Sequence, residues 1–237
     1  MIKSLSNFAL KQGFINADPL QWVDKVKRRK KDIKQQRVLT RGELSKVFIT
    51  ANEIKPNFLP ALIFYANTGC RLNELSSLEW SDIDFKMRSI TFNVKPHILI
   101  RNEPFTCKSG SQRIIPMKDV VYDYLMKLPK TNNWVFFSNR DRNTLGDYIY
   151  RNFKIIFKSS PIERTHEIKV HTFRHTFVSQ LLKDGVSLTD CSKLAGHSNT
   201  TTTDKYAHII NSTKSDSASM NQMPDIVMMH QKCTIAI

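Results

Sequence analysis

Residues 170–185 read "VHTFRHTFVSQLLKDG". Phe173, Phe177 and Leu181 recur at helical spacing, which predicts the core-facing stripe of a helix over about 172–184, stopped by Gly185. Its start crowds His171, Arg174 and His175 into five positions. Three readings compete: metal ligands, groups that hold an anion, or ordinary polar residues at a helix end. His171 and His175 are four apart, the spacing that puts two ligands on one helix face. However, the zinc-protease pattern HExxH needs Glu where this chain has Thr172, and a guanidinium between the histidines repels a cation. The anion reading fits better. His171 and Arg174 share one side of the first turn, where unpaired N–H groups and the helix dipole favour negative charge.

The bulk charge agrees. Lys and Arg number 36 against 21 Asp and Glu, a net +15 over 237 residues. A polyanion is the natural partner, nucleic acid first and an anionic membrane surface second. The basic residues cluster: residues 25–37, "KVKRRKKDIKQQR", hold eight of them and one acid. Lys27, Arg28, Arg29, Lys30 and Lys31 are candidate DNA contacts there. No apolar run approaches the roughly eighteen residues of a membrane span. The start, "MIKSLSNFALKQGF", lacks the apolar core and cleavage site of a secretory signal. Cys70, Cys107, Cys191 and Cys233 are far apart with no CxxC pair, so reduced thiols in a cytoplasmic protein are expected rather than disulfides or zinc.

Along the chain, residues 4–13 predict a short helix marked by Phe8, Ala9 and Phe14, followed by a turn at 16–20 and the basic linker. Thr40 with Glu43 is a capping box that starts the next helix. "NFLPALIFYANTG" (57–69) predicts a buried helix with Pro60 in its first turn and Gly69 ending it; "RLNELSSL" predicts a short helix after it. "SITFNV" (89–94) alternates as a strand, "HILI" (97–100) is read as continuing the same meander, and "QRIIPM" (112–117) is another strand. Helices are predicted at 119–128 and 144–159 around the short apolar stretch 134–137. Ser187 with Asp190 signals another helix start, and a last helix is expected at about 200–209, before a polar tail from 211. The fold class is α+β: mostly α-helical with a small antiparallel β-sheet.

A second guanidinium, Arg71, sits at the short helix start "NTGCRLNEL". With Arg174 it would offer forked donors to the non-bridging oxygens of a phosphodiester. "TGCRLNEL", "TCKSGSQRIIP", "HTFRHTFVSQLL" and "LAGHSNTTTTDKYAH" then occur in that order. Together they resemble the catalytic domain of the tyrosine recombinase (phage integrase) family, over about residues 38–210. The resemblance implies the DNA breaking-rejoining enzyme fold. It assigns catalytic roles to Arg71, Lys108, His171, Arg174, His197 and Tyr206, the tyrosine lying nine residues after His197.

What the resemblance implies is metal-free and ATP-free chemistry with no cofactor. Tyr206 attacks a phosphodiester to give a 3′-phosphotyrosyl link. His171 is its acid/base partner, Lys108 protonates the leaving 5′ oxygen, His197 bonds the phosphate, and the arginines stabilise its charge. Glu74 is expected to orient Arg71 or brace its helix. His175 is expected to be a hydrogen-bonded brace; Lys118 is a weaker substitute for Lys108. Residues 1–24 resemble the end of an N-terminal core-binding domain, so a truncated recombinase is expected. The stretch 94–105 is expected to be an extended hairpin before Lys108. The implied partners are double-stranded DNA and further copies of the chain, as a tetramer on paired sites, with residues 211–237 a possible docking segment. Two alternatives stay open: an idle DNA-binding remnant, and an enzyme that relaxes DNA in the manner of type IB topoisomerases.

Overall fold

Thr40 opens the main body of the protein. Its hydroxyl accepts from the Glu43 backbone N–H (3.2 Å), and the Glu43 carboxylate accepts from the Thr40 N–H (2.9 Å). This reciprocal cap starts helix α2, Arg41–Ile54. The computed structural model describes residues 2–23, 37–100, 102–105, 112–137 and 139–196. The chain divides into two compact units, Met1–Gln35 and Gln36–Ile237. In the first, α1 (Ile2–Lys11) is followed by turns in which Asp18 accepts from Ser6 and from the Leu20 N–H. Ile2, Leu5, Phe8 and Phe14 of this unit are exposed, so the apolar marks of its helix do not form a core there.

The second unit is built around α3 (Leu59–Thr68), whose residues are buried nearly all round. A helix apolar on every side belongs at the centre of a domain. Pro60 sits in its first turn, where a missing N–H costs nothing. Tyr65 meets Phe153 and Phe173 edge-on at ring separations of 5.9 and 6.0 Å, while Phe64 meets Phe136 at 5.2 Å. These contacts lock α3 against α6 (Arg142–Ser159) and α7 (Val170–Lys183). Helix α5 (Asp119–Lys127) adds Val121 and Leu125 to the same core. Phe177, Val178 and Leu182 of α7 pack with Cys191 and Ala195 of α8 (Leu188–Ala195) in a smaller cluster. Leu181, the third member of the predicted stripe, is partly buried against that cluster.

The strands form two sheets rather than one meander. Strands β1 (Ile83–Asp84), β2 (Ser89–Phe92) and β5 (Arg113–Pro116) make an antiparallel sheet in the order β1-β2-β5. Ile83, Ile90 and Ile115 line its buried face, in register. Strands β3 (Lys95–Ile100) and β4 (Glu103–Phe105) form a separate hairpin. The "HILI" stretch thus leaves the first sheet, and the expected extended hairpin is present. A buried ion cluster roots it: Lys95 Nζ donates to the Ser77 carbonyl (2.9 Å) and to Glu79 (2.9 Å), and bonds Asp82. A buried ammonium is tolerated only when paired in this way.

Residues 134–137 contribute a single bridge, Glu79 to Trp134, and not a strand. Helix α7 begins two residues before the predicted start, which places His171 inside its first turn. The predicted helix at 200–209, the tail and residues 25–36 of the basic linker lie outside the described residues.

Candidate active site

The sequence "TGCRLNEL" makes a tight local structure. Gly69 ends α3 with φ 57°, the left-handed cap that glycine adopts most readily. Arg71 is then the N-cap of α4, Leu72–Ser76. Glu74, three residues on, reaches back: its Oε2 accepts from the Arg71 backbone N–H (2.6 Å) and its Oε1 from Arg71 Nη1 (2.9 Å). Glu74 is buried, 2% exposed, and a lone carboxylate there would be costly. Arg113 of β5 meets the same carboxylate with a two-pronged contact, Nη1 to Oε1 at 2.8 Å and Nη2 to Oε2 at 2.6 Å. Its guanidinium also lies 4.5 Å over the Phe92 ring.

Arg174 comes from α7 and is also buried, 4% exposed. Its Nη1 donates to the Gly69 carbonyl at 2.7 Å and its Nη2 to the Ala195 carbonyl. Arg71 Nη2 donates to the next carbonyl, Gly196, and Arg113 Nε to the previous one, Leu194, at 3.1 Å. Three guanidiniums from three elements therefore bond three successive carbonyls at the end of α8. Those carbonyls have no partner within the helix and carry the negative end of its dipole. Gly196 caps α8 with φ 66°, and a Cβ there would lie 2.9 Å from Arg113 Nη1.

The electrostatics follow from this packing. Burial pushes the Glu74 carboxyl up, but the bonds and charge of Arg113, then Arg71, outweigh it and hold it at about 2. Burial, then the neighbouring Arg71 charge, bring the Arg174 guanidinium down to about 10, still charged at neutral pH. Burial lifts the Cys70 thiol to about 12, so it is an inert core residue. Three cations against one carboxylate leave a site with positive charge to offer an anion.

The phage integrase family model matches residues 37–212. The chain belongs to the phage integrase family. It is 26% identical over 222 residues to a tyrosine recombinase of Thermosipho africanus, covering 91% of this chain and 71% of that protein. It is 27% identical over 215 residues to the tyrosine recombinase XerC of Pediococcus pentosaceus, covering 88% and 68%. The crystal structure of XerA recombinase shares the fold, with a TM-score of 0.62 at 19% identity, over 93% of this chain and 75% of that one. So does the Tn1549 transposon integrase in complex with transposon right end DNA, with a TM-score of 0.62 at 20% identity, over 91% and 77%.

In this integrase-family chain the structure brings Arg71, Glu74 and Arg174 together. His171 lies exposed on the first turn of α7 and His175 is half-buried one turn on. Lys118 caps α5, where burial lowers its ammonium against the pull of Asp184. Lys108, His197, Tyr206 and the basic residues Lys27, Arg28, Arg29, Lys30 and Lys31 lie outside the described residues. Among the described residues no group of three His, Cys, Asp or Glu side chains is placed to hold a metal ion, and no helix is long and apolar enough to cross a membrane.

Two features are not evident in the sequence. One is Arg113, whose signal is an arginine at an inward position of a strand, opposite Phe92. The other is a cavity of about 220 Å³ between α6 and the segment leading into α7. Lys154, Lys158, His166 and Lys169 line it together with Tyr150 and Thr165, and it borders the start of the helix that carries His171.

Proposed function

We propose that this chain cuts and rejoins double-stranded DNA at specific sites through a 3′-phosphotyrosyl intermediate on Tyr206. The observation that carries the reading is the convergence of Arg71 and Arg174 on the last carbonyls of α8, directly before His197. Each guanidinium has five N–H donors, and the described contacts use two of each. The remaining donors are the means of gripping non-bridging phosphate oxygens. Because both groups are already anchored, little reorganisation is needed as charge builds on the five-coordinate phosphorus.

The other roles follow from chemistry. A tyrosine has a pKa near 10, so it needs cations beside the phosphate and a base to become a nucleophile. His171, exposed on the first turn of α7, serves as that acid/base group. Lys108 protonates the leaving 5′ oxygen and His197 bonds the phosphate. The covalent link conserves the bond energy, so rejoining requires no ATP, and the arginines supply the electrostatic stabilisation without a metal. Glu74 holds Arg71, and His175 braces α7.

Residues 38–210 are the catalytic domain in this reading, with residues 25–37 a basic linker against DNA. Residues 1–24 are the end of a core-binding domain, and 211–237 a tail that docks on a neighbour in a DNA-bound tetramer. The Tn1549 integrase with transposon DNA and XerH bound to palindromic difH are the structural relatives that support DNA as the partner.

The test is a set of nicked suicide duplexes carrying candidate recombination sites. The intact chain is expected to form a covalent DNA adduct and Tyr206→Phe none. Adducts that persist in Tyr206→Phe would remove this nucleophile. Binding without adducts from the intact chain would leave an idle DNA-binding remnant, and relaxed but unrecombined products would favour the relaxing enzyme.

A further inference from the structure

We infer that Arg113 is a positioning residue whose charge neutralises Glu74, leaving Arg71 and Arg174 as a net dication for a phosphate. The inference rests on the phosphate-binding reading above, and adds a residue and a division of labour to it.

Their contacts with Glu74, rather than burial, separate the three arginines: Arg174, at 4% exposed, is buried more deeply than Arg113, but its described bonds go to the Gly69 and Ala195 carbonyls and not to Glu74. Arg113 is 8% exposed; its donors reach both oxygens of Glu74 and the Leu194 carbonyl, and its guanidinium lies over the face of Phe92. It is turned inward on every side that these contacts define. Arg71 has the most exposed side chain of the set, at 19% against 7% for Arg113. Glu74 bonds both, but unequally. Arg71 gives it one side-chain hydrogen bond and one backbone N–H; Arg113 gives it a parallel pair. Fork-to-fork pairing of this kind is the strongest that a carboxylate and guanidinium make.

The charge count makes the consequence definite. Arg71, Arg113 and Arg174 against Glu74 leave +2. If Arg113 becomes neutral, the buried carboxylate is left to Arg71 alone, and the set falls to +1. The existing Arg71–Glu74 ion pair then carries the whole carboxylate charge, and the attraction of Arg71 for a phosphate is cancelled at short range. If Glu74 is neutralised together with Arg113, the set returns to +2 through Arg71 and Arg174. A merely structural role for Arg113 predicts the opposite, because removing both partners takes away more packing and more hydrogen bonds than removing one.

The experiment compares the full-length chain with Arg113→Gln, Arg113→Lys and Glu74→Gln/Arg113→Gln. Two readouts are used: affinity for inorganic phosphate by calorimetry, and single-turnover adduct formation on the suicide duplex, each beside a thermal melt. Arg113→Gln is expected to weaken phosphate binding roughly tenfold or more. The double variant, whose new amide oxygen can still accept from Arg71 and so hold it, is expected to recover phosphate affinity to within about threefold of the parent. Arg113→Lys, which keeps the charge but not the fork, is expected to lie between them. A double variant as weak as Arg113→Gln overturns the inference, as does an Arg113→Gln that binds phosphate like the parent. If Arg113→Gln does not fold, the double variant decides alone: parent-like phosphate affinity supports the charge role, and weak binding overturns it. Charge rescue in phosphate binding with no adducts from any form would sink the recombinase reading and leave the Arg113 assignment standing. Adducts from the parent without charge rescue would do the reverse.

Discussion

Arg174 and Gly69 are 105 residues apart, yet the Arg174 guanidinium donates to the Gly69 carbonyl at 2.7 Å. The contact works because Gly69 ends α3 in a left-handed turn that leaves its carbonyl without a helical partner. The same guanidinium bonds the Ala195 carbonyl at the end of α8. One side chain thus ties the ends of two helices to the start of a third. The arginine's place is fixed by backbone atoms, which neither titrate nor change rotamer.

Gly69 is therefore predicted to be intolerant of a side chain. Its φ of 57° disfavours any residue with a Cβ, and that Cβ would run into the Phe177 ring. Gly69→Ala should lower unfolding stability by about 2–4 kcal/mol, the sum of the left-handed backbone cost and the overpacking. Urea denaturation measures it. Phe177→Leu in the same background should return part of the loss; a loss that stays unchanged would place the problem in the backbone alone.

Arg174→Lys is predicted to separate binding from chemistry. An ammonium keeps the charge but cannot span the Gly69 and Ala195 carbonyls with a rigid fork. Under the proposed mechanism, adduct formation should fall by roughly 10²–10³-fold. DNA affinity, set by many lysines and arginines, should change by less than about tenfold. Equal losses in both would mean that Arg174 holds the fold rather than the phosphate.

The parts of the fold that are readable in the sequence are those written in short-range chemistry. The Thr40–Glu43 and Ser187–Asp190 helix starts, the Gly69 stop and the stripe through Phe173 and Phe177 each depend on residues within a few positions. The positions of Arg71 and Glu74 at the start of α4, and of Arg174 near the start of α7, are legible because their motifs are local too. Arg113 is not, because its partners lie 39 and 81 residues away, and spacing along the chain does not report such contacts. The separation of β3 from β2 is hidden for a similar reason. It depends on the buried ion cluster of Lys95 with Glu79 and Asp82, which the alternation of "HILI" does not encode. The role of the α8 carbonyls is hidden most deeply, since the residues that supply them are Leu194, Ala195 and Gly196, with no polar side chain to draw notice.

Glu74 should leave a signature in the pH dependence of stability. Its carboxyl sits at about 2 in the folded chain against an ordinary 4.5. A value depressed by folding contributes stability fully above the unfolded value, and the contribution is lost as pH falls through the folded one. The parent should therefore lose roughly 3 kcal/mol between about pH 5 and pH 2 from this group. Glu74→Gln should lack that component while sharing the rest of the acid loss. Subtracting the two stability curves isolates it, and parallel curves would show that Glu74 is not the source.

The lysine-lined cavity beside α7 carries the last prediction. Lys154, Lys158 and Lys169 line one concavity, with Glu167 nearby but not in its wall. Three exposed lysines around one concavity concentrate positive charge there, which suits an anion. Under the proposed function, a DNA phosphate near the start of α7 is the anion that fits this concavity. Replacing all three with Gln should then reduce the slope of log affinity against log salt by about 2–3, close to 0.9 for each phosphate no longer neutralised. A matched change of the exposed Lys46 on α2 serves as the control. The slope is the discriminating quantity. Partial unfolding lowers affinity at every salt concentration, whereas removing lysines that face phosphates lowers it most where salt is dilute. A triple variant with reduced affinity but the parent's slope would mean that the cavity does not meet DNA.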